Sequence, residues 1–390
     1  MKQFNLKKYL ARFKQKIVTR KGYQSAPPSH LETPLTFKIT TPGIINWRAT
    51  DSSVSKTIEY KLNNGEWISI KATTAGVKII VNAGDKIQFR GNNTTYSDGD
   101  YKPYNTFSGS TAGFEIEGNI MSLINSTNFI TATTLENTYT FYRLFENCTG
   151  LTSAENLVLP ATTLAESCYR DMFQNCSSLK TAPALPATTL VPNCYSSMFY
   201  DCSSLTVAPE LPATTLANIC YQYMFANCKS LTTAPALPAK TLTAFCYSSM
   251  FCGCSSLTVA PELPATKLAD YCYYCMFWNC TSLTTAPALP ATTLANICYS
   301  SMFKGCTSLT EAPALPATTL APNCYSIMFY GCAKLNYIKC LATDISASSC
   351  TNNWVEGVAA SGTFVKNPSM TEWTTGTSGI PTGWTVQDAS

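Results

Sequence analysis

Hydrophobic and polar positions divide the chain into three stretches with different periods. Residues 33–118 alternate over short runs, the mark of half-buried strands. Such runs are residues 35–40, 57–62, 67–70, 77–81, 86–90 and 113–116, separated by turn signals at Pro42-Gly43, Asn63-Asn64-Gly65, Ala83-Gly84-Asp85 and Gly91-Asn92-Asn93. Asn64-Gly65 between two apolar runs predicts a hairpin. Six or seven short strands with turns about every ten residues predict a β-sandwich of immunoglobulin-like size over 33–118, with a connector over 119–158.

From residue 159 the period changes. Leu-Pro-Ala recurs at Leu159, Leu185, Leu211, Leu237, Leu263, Leu289 and Leu315, a spacing of 26 residues without slippage. Such a fixed period demands a solenoid whose units stack on their neighbours. A degenerate copy precedes the array (Phe145, Cys148, Leu151) and another follows it (Leu341, Cys350). In the unit that begins at Leu289, Leu294, Cys298 and Met302 are spaced i, i+4, i+8, with Tyr299 and Phe303 alongside. This predicts one apolar face of a short helix closed by Cys306. Leu309 and Ala312 then lead into an extended piece that Pro313 and Pro316 keep short. The expected architecture is multi-domain: a basic helix and linker over 1–32, the β-sandwich, the connector with its cap repeat, an α/β solenoid over 159–340, and a degenerate repeat with a C-terminal cap over 341–390. Trp354, Trp373 and Trp384 are expected to cover the last open turn of that cap.

The period also separates scaffold from variation. The variable positions fall on the predicted helix at i, i+3, i+4 and i+7, opposite the apolar stripe. They hold Tyr200, Tyr223, Phe245, Tyr271, Tyr274, Trp278 and Tyr330. Aromatic residues there are contact candidates for a sugar or a protein, or padding between neighbouring turns. The strand side offers mainly Thr206, Thr232 and Thr284, with Glu210 and Glu262.

Charge changes the picture at one end only. Residues 1–31 hold eight basic residues and no acid; the remainder has 19 basic and 23 acidic residues, a net of −4. A basic face for nucleic acid is not supported. Leu6, Leu10, Phe13 and Ile17 recur at helical spacing among Lys7, Lys8, Arg12, Lys14 and Lys16, which predicts an amphipathic basic helix over 4–20. It would fray as a free terminus, dock on a partner protein, or lie on a membrane surface. The segment lacks the apolar stretch of a secretory signal, and no run approaches the ~20 apolar residues of a membrane span.

Candidate chemistry is sparse. Only His30 is available as a histidine, so a histidine-based triad or multi-histidine metal site is excluded. No phosphate-loop, nucleophile-elbow or zinc-protease motif occurs. No catalytic residue, cofactor or metal site is expected, and the chain reads as a non-enzyme. Sixteen of the 19 cysteines form two ladders at the repeat period, one from Cys168 to Cys350 and one from Cys148 to Cys332. Each lies on the apolar stripe, as small buried side chains do. Cys252 and Cys275 fall on the variable face and are the thiols expected to react. So many thiols suit assembly in a reducing cytoplasm.

The segment Phe-x-x-Cys-x-Ser-Leu-Thr followed by a Pro-bearing strand resembles the BspA-like leucine-rich repeats over about residues 141–358. The chain departs from that pattern with Met-Phe for Ala-Phe, a longer period and an added Cys-Tyr. Residues 60–65 and 84–91 are similar to modules that precede such repeats. The resemblance implies a leucine-rich-repeat fold, adhesion or recognition, and no catalytic residues. It is met on bacterial surface proteins and in virion proteins of phages. The resulting expectation is a phage virion protein made in the host cytoplasm. Its N-terminal segment (Lys7, Lys8, Leu10, Arg12, Phe13, Lys14, Lys16, Ile17) would anchor to other virion proteins. Its solenoid would contact a host-surface protein or glycan, with homo-oligomers open. The alternative is a bacterial cell-surface adhesin.

Overall fold

The computed structural model describes residues 30–390. The basic helix expected over residues 4–20, with its anchoring residues, lies outside them. Twelve strands are present: β1 (Leu35–Thr41), β2 (Gly43–Ala49), β3 (Thr57–Leu62), β4 (Ile68–Lys71), β5 (Val77–Val81), β6 (Lys86–Arg90), β7 (Asn105–Thr106), β8 (Gly113–Asn119), β9 (Leu151–Val158), β10 (Tyr337–Cys340), β11 (Thr363–Lys366) and β12 (Thr385–Asp388). The alternating runs of the N-terminal stretch form β1, β3, β4, β5, β6 and β8. Strand β2 follows Pro42 directly and went unread because its Gly43 counts as a turn signal; Ile45 and Trp47, both fully buried, carry its inward face.

Two sheets make up residues 35–119. One runs β4-β3-β6-β1-β8 and the other β5-β2-β7. Their inner faces meet through aromatic rings: Phe37 of β1 lies 4.9 Å from Phe107, which lies 4.9 Å from Trp47 of β2. Burying such rings removes a large apolar area from water.

The first sheet does not stop there. Strand β9 adds to β8 in parallel, with Gly118 opposite Leu157 and Asn119 opposite Val158. Parallel bridges then step through the repeats, from Ser153 to Thr181, Val207, Thr233, Val259 and Thr285, and from Glu311 to Tyr337. Strands β10, β11 and β12 continue the array as a parallel sheet. The strand side of the solenoid therefore grows out of the sheet of the N-terminal domain.

The α/β expectation is overturned. Among the described residues there is no α-helix, only three short 3-10 turns outside the repeats. The segment read as a helix is a ladder of tight turns. In each coil every fourth residue has a positive φ: Ser167, Asp171 and Asn175 in one, Asn193, Ser197 and Asp201 in the next. An α-helix needs every residue right-handed, so one left-handed residue in four forbids it. Alternate amides close turns within the coil (Arg170 to Ser167 O, 3.2 Å; Met172 to Tyr169 O, 3.3 Å). The others donate to the next coil (Tyr169 to Cys194 O, 3.1 Å; Asp171 to Ser196 O, 3.0 Å; Phe173 to Met198 O, 2.9 Å). Every amide of the segment thus has a partner, half of them from a neighbouring coil, and no helix is needed to satisfy the backbone.

Coils are numbered here by their phenylalanine: Phe145 in coil 1, then Phe173, Phe199, Phe225, Phe251, Phe277, Phe303 and Phe329, with Val355 in that place in coil 9. Side chains at constant positions stack on their own copies. The tyrosine rings of coils 2–8 follow each other at 5.7–6.1 Å, and the phenylalanine rings of coils 1–8 at 5.3–5.8 Å. At the C-terminal end Trp354 is fully buried in the place of the repeat methionine. Its ring lies 6.2 Å from Tyr325 and stacks on Trp373 at 5.7 Å, and its Nε1 donates to Gly379 O at 2.8 Å.

Candidate recognition face

The turn ladder fixes which side chains point inward. Cys220, Tyr221, Met224, Phe225 and Cys228 of coil 4 are at most 1% exposed, as are their counterparts along the array. The second cysteine of each unit has a defined task. Cys176, Cys202, Cys228, Cys254, Cys280, Cys306 and Cys332 each donate S–H to the phenylalanine carbonyl of the preceding coil, at 3.0–3.2 Å. A thiol is small enough for the gap and is a weak donor. Burial pushes Cys228 well above the usual thiol range and Cys168 up to about 12. All 19 cysteines are free thiols. Among the described residues no group of three or more His, Cys, Asp or Glu could hold a metal ion.

The variable side chains occupy the outer surface of the turns. Some of them, such as Tyr223, Phe245 and Tyr271, sit at left-handed positions, and the residue just before the second cysteine is Asn, Asp or Gly in every coil from 1 to 8. Asn, Asp and Gly tolerate a positive φ. Ile219, Ile297 and Ile327 do not, yet sit at φ 63, 58 and 59. There the inter-coil hydrogen bonds override local preference.

On this face the seven aromatic candidates fall on coils 3–8. Tyr223 and Tyr330 are 37% and 38% exposed, and Tyr200, Phe245, Tyr271, Tyr274 and Trp278 are half-buried. They meet each other within and across coils. Phe245 stacks on Tyr271 at 4.4 Å, Tyr271 meets Tyr274 edge-on at 5.9 Å, and Tyr200 meets Tyr223 at 6.3 Å. Lys304 Nζ lies over Trp278 at 4.8 Å and over Tyr330 at 5.4 Å. Of the two thiols on this face, Cys252 is half-buried, its pKa pushed up to about 11 by burial and then by Cys275. Cys275 is only 3% exposed, beside the Tyr274 hydroxyl. The expectation that both thiols are open to reagents is corrected to Cys252 alone.

Sequence reasoning missed the charged part of the same face. In coils 1 and 2 it holds Arg143, Glu146, Arg170 and Asp171, and a loop of the N-terminal domain, residues 98–104, lies across them. Arg170 Nη1 is 2.8 Å from Asp100 Oδ2, and Arg143 Nε donates to Asp171 Oδ2 at 3.1 Å. The Tyr104 hydroxyl donates to Glu146 Oε2. Arg143 lies over the rings of Tyr104 and Tyr142 at 5.5 and 5.0 Å; Arg170 lies 5.9 Å from those of Tyr101 and Tyr142. Burial raises the Asp171 and Glu146 carboxyls, a rise the guanidinium of Arg143 opposes. Burial likewise works against the charge of Arg143, but Asp171 and then Glu146 more than offset it. The signal was present: an Arg-Asp pair stands at 170–171 where coils 3–9 carry only uncharged residues.

The BspA type leucine-rich repeat region matches this chain in six copies, over residues 115–258 and 218–353. The chain belongs to that family. The matched stretch begins within β8, the strand on which β9 adds in parallel. A leucine-rich repeat protein from Bacteroides ovatus, solved as a crystal structure, is similar at 17% identity over 64% of this chain and 77% of that one, with a TM-score of 0.28. No curated protein matches the chain.

Proposed function

We propose that this BspA-type repeat protein is a non-enzymatic recognition protein whose outer turn face contacts a host-surface protein or glycan. One observation carries the reading. A coil that is constant inside varies on one continuous outward strip, and the variation there is rich in Tyr and Trp, the residues that carry binding energy at interfaces. A rigid ladder also presents such a strip with little ordering cost on binding. Paired variants on this face, Tyr200→Ala with Tyr223→Ala and Tyr274→Ala with Trp278→Ala, should lower binding of the full chain to intact bacterial cells at least tenfold. Their thermal midpoints should stay close to that of the parent. Unchanged cell binding by both pairs would overturn the reading.

The finer reading places the chain on a phage particle, anchored through its first 22 residues. The thiol content supports it, because 19 free cysteines suit folding and assembly in a reducing cytoplasm. A bacterial cell-surface adhesin is the second reading, favoured by the family match. Mass spectrometry of purified particles and of cell envelopes separates the two. Detection in envelopes alone defeats the particle.

A further inference from the structure

The turn face already has one occupant. In coils 1 and 2 a cation between aromatic rings receives a carboxylate from an incoming loop. Arg170 is flanked by Tyr101 and Tyr142 and takes Asp100 at 2.8 Å. The loop supplies both the acid and one of the rings. Lys304 in coil 7 repeats the cation and the two rings, with Trp278 of coil 6 on one side and Tyr330 of coil 8 on the other. No carboxylate among the described residues forms an ion pair with it. Five coils separate Lys304 from Arg170, about 24 Å at the usual strand spacing. The loop that fills the first site therefore cannot also reach the second.

We propose that Lys304, held between Trp278 and Tyr330, accepts a carboxylate from an acidic, tyrosine-bearing loop of a partner protein. The surface is continuous with the one that residues 98–104 already occupy, and among the described residues Lys304 has no counter-charge. A neutral sugar platform fits less well. Such a platform needs open ring faces, whereas Phe245 and Tyr271 cover each other at 4.4 Å and Lys304 covers one face of Trp278. A half-buried cation held against two rings has less water to shed when a carboxylate arrives.

This inference rests on the turn face being the recognition surface, and the two can fail separately. The probe is a synthetic peptide of the chain's own residues 98–104, titrated against the full chain and read by the fluorescence that Trp278→Phe removes. We expect saturable binding that weakens at high salt. It should fall about fivefold or more when both peptide aspartates are amidated, and equally with Lys304→Gln, while Lys304→Arg retains it. Each variant is accepted only if its thermal midpoint matches the parent's. Equal binding of the acidic and amidated peptides, absence of saturable binding at millimolar peptide, or preference for a glucuronate oligosaccharide would each overturn the proposal. If the tyrosine variants of coils 3 and 4 lose cell binding while Lys304→Gln keeps it, the face stands and the acidic partner falls.

Discussion

Phe37 and Phe225 are both fully buried phenylalanines, and they are held in opposite ways. Phe37 touches four different rings: Phe89 and Phe107 at 4.9 Å, Phe114 at 4.8 Å and Phe145 at 6.0 Å. These come from the first sheet, from the residue that follows β7 and from coil 1. The rings that Phe225 meets are only its own copies, Phe199 and Phe251, each at 5.7 Å. The N-terminal domain is packed in three dimensions, each contact unlike the others. The solenoid is packed in one dimension, the same contact repeated. A protein of the first kind transmits a defect throughout its core; one of the second kind passes it to adjoining coils. Coil 1 belongs to both, because Phe145 stacks on Phe107 at 5.7 Å and on Phe173 at 5.3 Å.

The largest test of that contrast is truncation of these two rings. Phe37→Ala and Phe225→Ala should each cost about 3–5 kcal/mol by denaturant titration, from lost burial and the cavity left behind. The distribution should differ. Hydrogen exchange should show Phe225→Ala losing protection in coils 3–5, with the two sheets of residues 35–119 intact. Phe37→Ala should lose it in both sheets and in coil 1. Uniform loss across the molecule in Phe225→Ala would show that the solenoid is not a nearest-neighbour array.

A smaller test uses the thiols. Cys228→Ala removes a buried sulfur and its bond to Phe199 O, 3.2 Å, and should cost about 1–2 kcal/mol. Cys252→Ala, outside the ladders and half-buried, should cost close to nothing. Alkylation of the native protein should label Cys252 and spare the ladders. Only the thiolate reacts. With the Cys252 pKa raised to about 11, its rate should climb about tenfold per pH unit from neutral until that value. Labelling of ladder thiols at comparable rates would mean that the coils open locally.

The 26-residue period, the inward constant positions and most strands of the first domain are readable in the chain, because alternation and turn residues report them locally. The aromatic candidates share one face because repetition alone identifies what varies. Two things were not legible. The loop at 98–104 meets Arg143 and Arg170 across long sequence separations, and no local pattern encodes that pairing. The turn ladder was mistaken for a helix because both place every fourth residue on one side. Yet Leu294, Cys298, Met302 and Cys306 keep a spacing of four throughout. A 3.6-residue helix would rotate such a stripe by about 40° at each step, and Cys306 would leave the buried face. A strict period of four, with Asn, Asp or Gly before the second cysteine, is the signature of the turns. It was obscured because Ile, Tyr and Phe also occupy the left-handed positions.

One substitution separates the ladder from a helix by sign. Gly331 closes the turns of coil 8 at φ 73. A Cβ added there would lie 3.8 Å from Gly305 Cα, an ordinary contact. The backbone angle, not space, therefore decides the outcome. In a helix, Gly331→Ala would stabilise by about 1 kcal/mol, the difference between the best helix former and glycine. In the turn ladder the alanine must hold a left-handed conformation, at a cost of about 1–2 kcal/mol. Gly253 is a poorer test, because a Cβ there would meet Asn227 Oδ1 at 2.2 Å and steric strain would mask the angle. Denaturant titration of Gly331→Ala should therefore show a loss, and the outward aromatic strip then sits on turns rather than on a helix. A gain in stability would restore the helix and move every variable side chain of the face to a new direction.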